Sequence, residues 1–516
     1  MAMTDPTNPP ERRPIPFDPG RLDAAIIAPP LAKQMRDTPN DLINVIIDAD
    51  LGYRNTRDAA KQEIVRLVER VTERPTAIRQ PATDRSPQYV YAKLRADEIL
   101  KIANDQAPLP SRAGSATGER PSDRIIHRIW LDHKVGALIS KTPATIKVDA
   151  ARTSFSAMGA SIVWAVIDSG VAKHPHFELH KNLDVVLPVK HMSFVDGEKD
   201  EDALTDAFGH GTHVAGIICG EIAPEMEADG KTTKTRVLTL SRHLLQSGDV
   251  DIDPECLDRI GGMAPRTKVV SFKVLNDKGE GLTSDILAAI EEIQRINGHG
   301  RELLIHGVNL SVGYEFDPEW FACGQSPLCV EVDRLVRSGV VVVAAAGNTG
   351  YGFQSTAFQG SVPAGLSMTI NDPGNAELAI TVGSTHRDMP HTYGVSYFSS
   401  KGPTGDGRRK PDLVAPGEKI LSCGAGAKLK TLQAGLTKKP AGNPDPNCIY
   451  IADSGTSMAA PHVSGAIAAF LSVRREFVGR PETVKRIFLD SATDLKREPY
   501  FQGYGLVDLM RAIQSV

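Results

Sequence analysis

Three short segments of this 516-residue chain pair a chemically able side chain with small, turn-forming neighbours. Asp168 closes the apolar run VWAVID and is followed by Ser-Gly, His210 lies in FGHGTHVAG, and Ser457 lies in DSGTSMAAPHVSG. A serine hydroxyl is a weak nucleophile, so acyl transfer through it needs a base in contact and an acid that holds the base in one tautomer. Asp168, His210 and Ser457 supply those parts, and their order along the chain, Asp then His then Ser, is one of the known solutions. One Asp-Ser-Gly alone would carry little weight. Three blocks in order carry much more, provided that the fold brings them together.

The elements that would do so can be read from hydrophobic spacing. From about Ala144 onward the pattern is that of a large α/β domain with a mostly parallel sheet and helices on both faces. Four strands matter most: Ile162 to Ile167, Val269 to Leu275, Val308 to Val312 and Val340 to Ala346. Each is almost continuously apolar, as parallel strands buried on both faces are. Ser284 to Ile296 and Val330 to Val336 have helical spacing, and a further helix is expected near Ser457. Ligands of such folds sit beyond the carboxyl ends of the strands. Asp168, Gly313, Gly347 and Asn348 fall there. Two polar stretches, near 221–259 and 424–447, interrupt the alternation and read as surface insertions. Upstream, after a flexible tail over 1–20, a small two-layer α+β unit is expected within 21–140. Its parts are a strand over Leu42 to Ile47, a helix over Arg57 to Val71 capped by Thr56, a strand over Tyr89 to Leu94, a short helix over Ala96 to Ala103 and a strand over Ile125 to Leu131. The Pro/Gly/Ser-rich stretch from Ala107 to Ser122 reads as a loop.

On its three blocks the chain resembles the subtilisin-like serine peptidases, over some 370 residues from Ala144 to the C-terminal GYGLVDLMRAI. The resemblance implies a three-layer subtilisin-like domain over 141–516 and a serine endopeptidase acting through an acyl-enzyme. It makes Ser457 the nucleophile, His210 the general base and Asp168 the residue that orients the imidazole. In AAAGNTG, Asn348 stands where the family places its oxyanion-hole side chain, working with the backbone N–H of Ser457. VNLSVG resembles the substrate-binding strand, with Ser311, Val312 and Gly313 as candidates for main-chain pairing. Ala345, Ala346, Gly347, Thr349 and residues near Asn371 would wall the side-chain pocket. The upstream unit is similar to the small ferredoxin-like propeptides of the family, which assist folding and then act as inhibitors. An autoinhibited precursor that cuts itself between Val135 and Lys141 is therefore expected. His213, His174 and His462 match family positions without a chemical role and are expected to be packed.

Composition narrows the alternatives. With 59 Lys plus Arg against 63 Asp plus Glu, the net charge of -4 offers no basic field for nucleic acid. The start MAMTDPTNPPERRPIPF lacks a secretory apolar run, and no window reaches the roughly 18 apolar residues of a spanning helix. A cytoplasmic protein without membrane contact is expected, unconventional export remaining open. Six cysteines without metal-ligand spacing suit free thiols in a reducing compartment. No cofactor is required by the chemistry. The acidic run Asp196 to Asp206 can hold Ca²⁺ through hard oxygens but reads better as a solvated loop. The long stretch from Glu221 replaces the segment where many relatives carry a calcium loop, so no metal residue is assigned. Partners are then protein or peptide substrates and the chain's own N-terminal domain. The reading from another class is a catalytically silent protein-binding module on the same fold.

Overall fold

The computed structural model describes residues 26–50, 53, 56–105, 124–132, 134–137, 144–222, 225–226, 232–233, 237–244, 250–257, 259–316, 322–356, 360–437 and 444–516. The expected tail over 1–20, the whole expected loop from Ala107 to Ser122, parts of both insertions and positions 138–141 of the processing window lie outside them. Two units result, one covering Met1–Thr83 and Pro87–Leu131, the other Asp84–Ser86 and Asp132–Val516.

The first unit follows the expected alternation and adds a helix before it. Its main elements are α1 (Pro29–Asp37), β1 (Ile43–Ala49), α2 (Arg57–Thr72), β2 (Tyr89–Leu94), α3 (Ala96–Asn104) and β3 (Ile126–Leu131), with a further short helix over Gln80–Arg85 ahead of β2. The Thr56 hydroxyl accepts from the Ala59 amide at 3.2 Å, satisfying one orphan donor of α2. Spacing puts Ile64, Leu67 and Val68 on one face of α2, all buried, where they join Val45, Ile47 and Val90 of the sheet in a common core. The strands run antiparallel in the order β2-β1-β3.

The second unit begins with β4 (Lys134–Ala137), a strand too short to be read from its sequence. β5 (Val163–Asp168) and β6 (Met192–Ser193) precede helix α4 (Gly211–Ile218). β7 (Val237–Leu244) and β8 (Val250–Leu257) pair with each other ahead of β9 (Lys268–Lys273), β10 (Glu280–Leu282) and helix α5 (Thr283–Ile296). Then come β11 (Gly307–Leu310), β12 (Val312–Gly313), helix α6 (Pro327–Arg337), β13 (Val341–Ala345), β14 (Ile380–Thr385) and β15 (Leu413–Pro416). β16 (Ile420–Cys423), α7 (Gly426–Ala434), β17 (Ile449–Asp453) and α8 (Thr456–Val473) lead to short closing helices.

Seven strands form one wholly parallel sheet in the order β15-β14-β13-β11-β5-β9-β6. Val341, Val343 and Ala345 share a core with α4 and α8, while the alternate residues Val342 and Ala344 point to the opposite face, against which α6 packs. α8 is apolar around its circumference and buried from Thr456 to Leu471, which makes it a core element. It is also the one helix among the described residues long and apolar enough to cross a membrane.

The two insertions are more than surface loops. β7, from the first, lies parallel to β17, which follows the second, in a four-stranded sheet ordered β8-β7-β17-β16. Leu238, Leu240, Ile252, Leu432, Ile449 and Ile451 form its own small core under α7. Strand β17 runs on almost directly into Ser457. Cys219, Cys323, Cys329, Cys423 and Cys448 are buried free thiols, and Cys256 is exposed.

Candidate active site

Asp168 is the last residue of β5, held by parallel ladders to β9 and β11 on either side. His210 immediately precedes α4, and Ser457 is the second residue of α8. The structure brings all three to the carboxyl end of the parallel sheet, and all are fully buried. His210 Nδ1 lies 2.7 Å from Asp168 Oδ1, and the same oxygen accepts from the Ser169 amide at 2.7 Å. With Nδ1–H donating to a carboxylate, Nε2 is the basic nitrogen of the neutral ring.

Asp206 holds this arrangement in place, although it ends the run read above as solvated. Its carboxylate accepts from Thr212 N (2.9 Å), Thr212 Oγ1 (2.7 Å), Gly209 N (2.7 Å) and Ser169 Oγ (2.9 Å). Ser169 Oγ in turn accepts from Gly211 N at 2.9 Å. Asp206 thereby caps α4 from outside and ties it to the residue after Asp168. Burial pushes its carboxyl up, against the pull of those four bonds. The signal was present in the sequence as an acid just ahead of a Gly-rich helix start.

Ser457 is fixed from behind. Pro461 lies inside α8 and has no N–H, so the Ser457 carbonyl loses its i+4 partner. Ser311 Oγ takes that place, donating to Ser457 O at 2.7 Å. A relay supports it: Ser464 Oγ donates to Asn309 Oδ1 (2.8 Å) and Asn309 Nδ2 donates to Ser311 Oγ (2.8 Å). Asn309, Pro461 and Ser464 were not singled out in the sequence. The Ser457 hydroxyl donates to Ser311 O at 3.2 Å, so transfer of its proton to His210 requires the hydroxyl to leave that bond.

Asn348 follows β13 and is partly exposed. Its Oδ1 accepts from Thr456 N (2.8 Å) and Thr456 Oγ1 (3.1 Å). A backbone N–H can only donate, so the carboxamide orientation is settled and Nδ2–H₂ faces the other way. The Ser457 amide, in the first turn of α8, has no intrahelical acceptor. Two donors are therefore available near the serine.

Beside them, Gly347 has φ +109°, and a Cβ there would lie 2.6 Å from Asn371 Cγ. Only glycine fits both demands. Thr349 Oγ1 contacts Asn371 Oδ1 (3.3 Å) and Ser400 Oγ (3.1 Å), so Ser400 joins Gly347, Thr349 and Asn371 around one wall. Ala345 and Ala346 are buried behind it.

Val312 and Gly313 of β12 pair antiparallel with Ala137 and Gly136 of β4, whose other edge pairs with β10. β4 is thus the middle strand of three, its ladder bonds made by backbone groups. His213 Nε2 contacts Ile451 O (3.1 Å), and His462 Nδ1 contacts Met458 O (2.6 Å). His174 Nε2 contacts Ile449 O (3.2 Å). Among the described residues no group of three or more His, Cys, Asp or Glu stands where it could hold a metal ion. Of the acidic run, Asp200 pairs with Lys190 (2.7 Å) and Asp202 accepts from the Lys199 amide (2.7 Å).

The model described as "Subtilase family" matches residues 159–505. Serine protease AprX of Bacillus subtilis is 27% identical over 396 residues, covering 75% of this chain and 74% of that protein. The major intracellular serine protease of the same species is 30% identical over 358 residues, 68% of this chain and 81% of that protein. Pyrolysin of Pyrococcus furiosus is 30% identical over 334 residues, but these span only 21% of its length.

Proposed function

The chain belongs to the subtilase family and is a serine endopeptidase, and from that premise we propose which groups do the work and how the precursor is restrained. Ser457 Oγ attacks the scissile carbonyl while its proton passes to His210 Nε2. The imidazolium so formed is stabilised by Asp168, and the tetrahedral oxyanion by the Ser457 amide and Asn348 Nδ2. His210 then protonates the leaving amine, and water releases the acyl group by the same steps in reverse roles. The observation that carries this assignment is the 2.7 Å bond between His210 and Asp168, with both side chains fully buried. All the groups required come from the chain itself. A side-chain oxyanion donor in this family contributes about 100 to 1,000-fold in turnover.

The substrate's acyl side pairs with Ser311, Val312 and Gly313, and its side chain enters the recess walled by Ala345, Ala346, Gly347 and Thr349. Backbone pairing is blind to sequence, so protein substrates of many kinds can engage. The first unit acts as an inhibitor in the precursor. The support is β4: the segment following that unit lies on β12 as a substrate strand would, antiparallel and through backbone bonds. Cleavage falls within Val135 to Lys141, a window whose later positions lie outside the described residues. By likeness to the major intracellular serine protease, the compartment we propose is the cell interior.

Full-length wild type and Ser457→Ala are compared by N-terminal sequencing and by labelling with a fluorophosphonate. Wild type should be labelled and shortened within that window, and Ser457→Ala neither. A variant shortened as fast as wild type would exclude intramolecular cleavage. Wild type that takes no label even after proteolytic removal of the first 140 residues would favour the silent binding module.

A further inference from the structure

A half-open cavity of about 270 Å³ lies between Arg242 of the first insertion, α7 of the second, Phe208 and the end of β17. Register and alternation explain its composition. Arg242 faces Ile252 across the β7–β8 pair and shares a face with Leu238 and Leu240, the face covered by α7. Asp251 and Asp253 of β8 flank Ile252 and so point to the opposite face. β7 runs parallel to β17 with Leu240 opposite Ile451, and two steps on Arg242 comes level with Asp453. The floor is apolar, with Leu432 and Ile451, while Arg242, Lys428 and Asp453 line it as charges.

Those charges do not cancel. Lys428 Nζ is 3.1 Å from Asp453 Oδ2 and sits 5.1 Å above the Phe208 ring, which neutralises the carboxylate. Arg242 is exposed and has no carboxylate partner among the described residues, so the described lining keeps one net positive charge. Phe208 forms the partition: its ring packs on Gly279, where a Cβ would come within 2.7 Å of it, and carries Lys428. Gly279 immediately precedes β10, the strand beside β4. The cavity is therefore on the far side of Phe208 from the acyl-side strands. It is bounded by residues two before His210 and four before Ser457. In the antiparallel register of β4, each step toward the C terminus moves from Gly313 toward Ser311 and Ser457. What continues beyond Ser457 is the leaving group.

We propose that this cavity is a leaving-group subsite that takes an acidic side chain, Glu or Asp, at the first or second residue after the scissile bond, with Arg242 as its counter-ion. The proposal rests on the endopeptidase reading above and names a substrate class for it. The chain's own stretch after Ala137, LISK, carries no acid, so self-processing does not draw on this subsite and substrates acting in trans do.

The test uses the enzyme obtained by expressing the full chain and allowing self-processing, with matched peptides bearing Glu, Gln or Lys at those two positions. Wild type should favour Glu over Gln by about fivefold in kcat/KM, the scale of one partly exposed charge pair, and the preference should shrink in high salt. Arg242→Gln should bring the ratio to about one, and Arg242→Glu should invert it in favour of Lys. An absent Glu preference in wild type, or one unchanged in Arg242→Gln, overturns the subsite. Failure to cleave any of the peptides would instead overturn the endopeptidase reading, so the two failures are distinct.

Discussion

The two sheets that meet at Ser457 are built on different terms. The seven-stranded parallel sheet is buried on both faces, and its approaches are so close that glycine positions are dictated by neighbouring atoms. The four-stranded sheet from the insertions has two unlike faces: Val237, Ile420, Cys423 and Tyr450 join the main core, while the face under α7 has only a small core of six residues beside charged groups such as Arg242 and Asp453. The first carries the proposed catalytic groups on densely packed strand and helix ends, where small displacements would matter most. The second surrounds them with side chains that can change without moving the triad. Dense packing is concentrated where we propose that bonds are made and broken, and sparser packing where we propose that substrates are selected.

The strongest way to break this contrast is at Gly307, the first residue of β11. A Cβ there would lie 2.3 to 2.5 Å from three ring carbons of Trp164, its partner on β5, which is fully buried. The indole cannot retreat, because the strand that carries it also carries Asp168. Gly307→Ala should therefore cost about 3 kcal/mol of stability and reduce activity as well. Urea unfolding in a Ser457→Ala background, which prevents self-digestion, measures the first, and peptide hydrolysis by the single variant measures the second. A loss below about 1 kcal/mol would mean that the parallel sheet is more pliable than its packing implies.

A smaller effect should appear at the seam between the sheets. His176 Nε2 lies 3.1 Å from Gly216 O on α4 and its Nδ1 lies 2.9 Å from the Tyr450 hydroxyl on β17. His174 Nε2 lies 3.2 Å from Ile449 O, and its Nδ1 accepts from the His176 amide. A carbonyl can only accept, so in each ring Nε2 is the donor; His174 Nδ1 accepts from an amide, which makes that ring neutral, and in a neutral His176 ring Nδ1 accepts from the Tyr450 hydroxyl. Burial lowers their pKa values from 6.5, to about 4 for His174 and about 3 for His176. Below pH 6.5 the unfolded chain gains protons that the folded one refuses. The stabilisation is thus complete above about 6.5 and is lost progressively as pH falls toward 4 and then 3. The pair should contribute on the order of 3 kcal/mol or more across that window. Hydrogen exchange should show β17 opening first. Unfolding free energy that stays flat from pH 7 to 4.5 would remove these histidines as the acid-sensitive seam.

The same contrast explains what could be read in advance. Apolar runs announced the main strands, and small residues around Asp168, His210 and Ser457 announced where the chain turns at their ends, because local sequence governs both. The element order of the first unit was legible for the same reason. The inserted sheet was not, since Thr239 pairs with Tyr450 and nothing local to either position encodes the other. Strand β4 escaped notice because four residues, KVGA, form a strand only when β10 and β12 supply partners on both edges. Asp206 was misjudged because charge within an acidic run suggests solvent, whereas four donors converge on it only after α4 is in place. The Asn309, Ser311 and Ser464 relay looked like ordinary polar positions on apolar elements. It makes sense only once Pro461 has freed the carbonyl that the relay serves.

The smallest effect is expected from the same substitution made in the inserted region. Gly435 ends α7 with φ −88° and ψ 1°, a conformation open to any residue. A Cβ there would meet Ile252 Cδ1 at 2.7 Å, and the next atom, Ile252 Cγ1, at 3.8 Å. The close contact is the tip of a flexible side chain in a six-residue core, and a rotamer change relieves it at modest cost. Against that cost stands the gain of about 0.4 to 1 kcal/mol from replacing glycine where the backbone already suits alanine, because the unfolded chain has fewer states to lose. Gly435→Ala should therefore change stability by less than about 0.5 kcal/mol in either direction. The measurement is the same urea titration used for Gly307→Ala. A loss approaching that of Gly307→Ala would show that the inserted sheet is packed as tightly as the parallel one. In that case the division between a rigid catalytic frame and an adaptable wall would not hold.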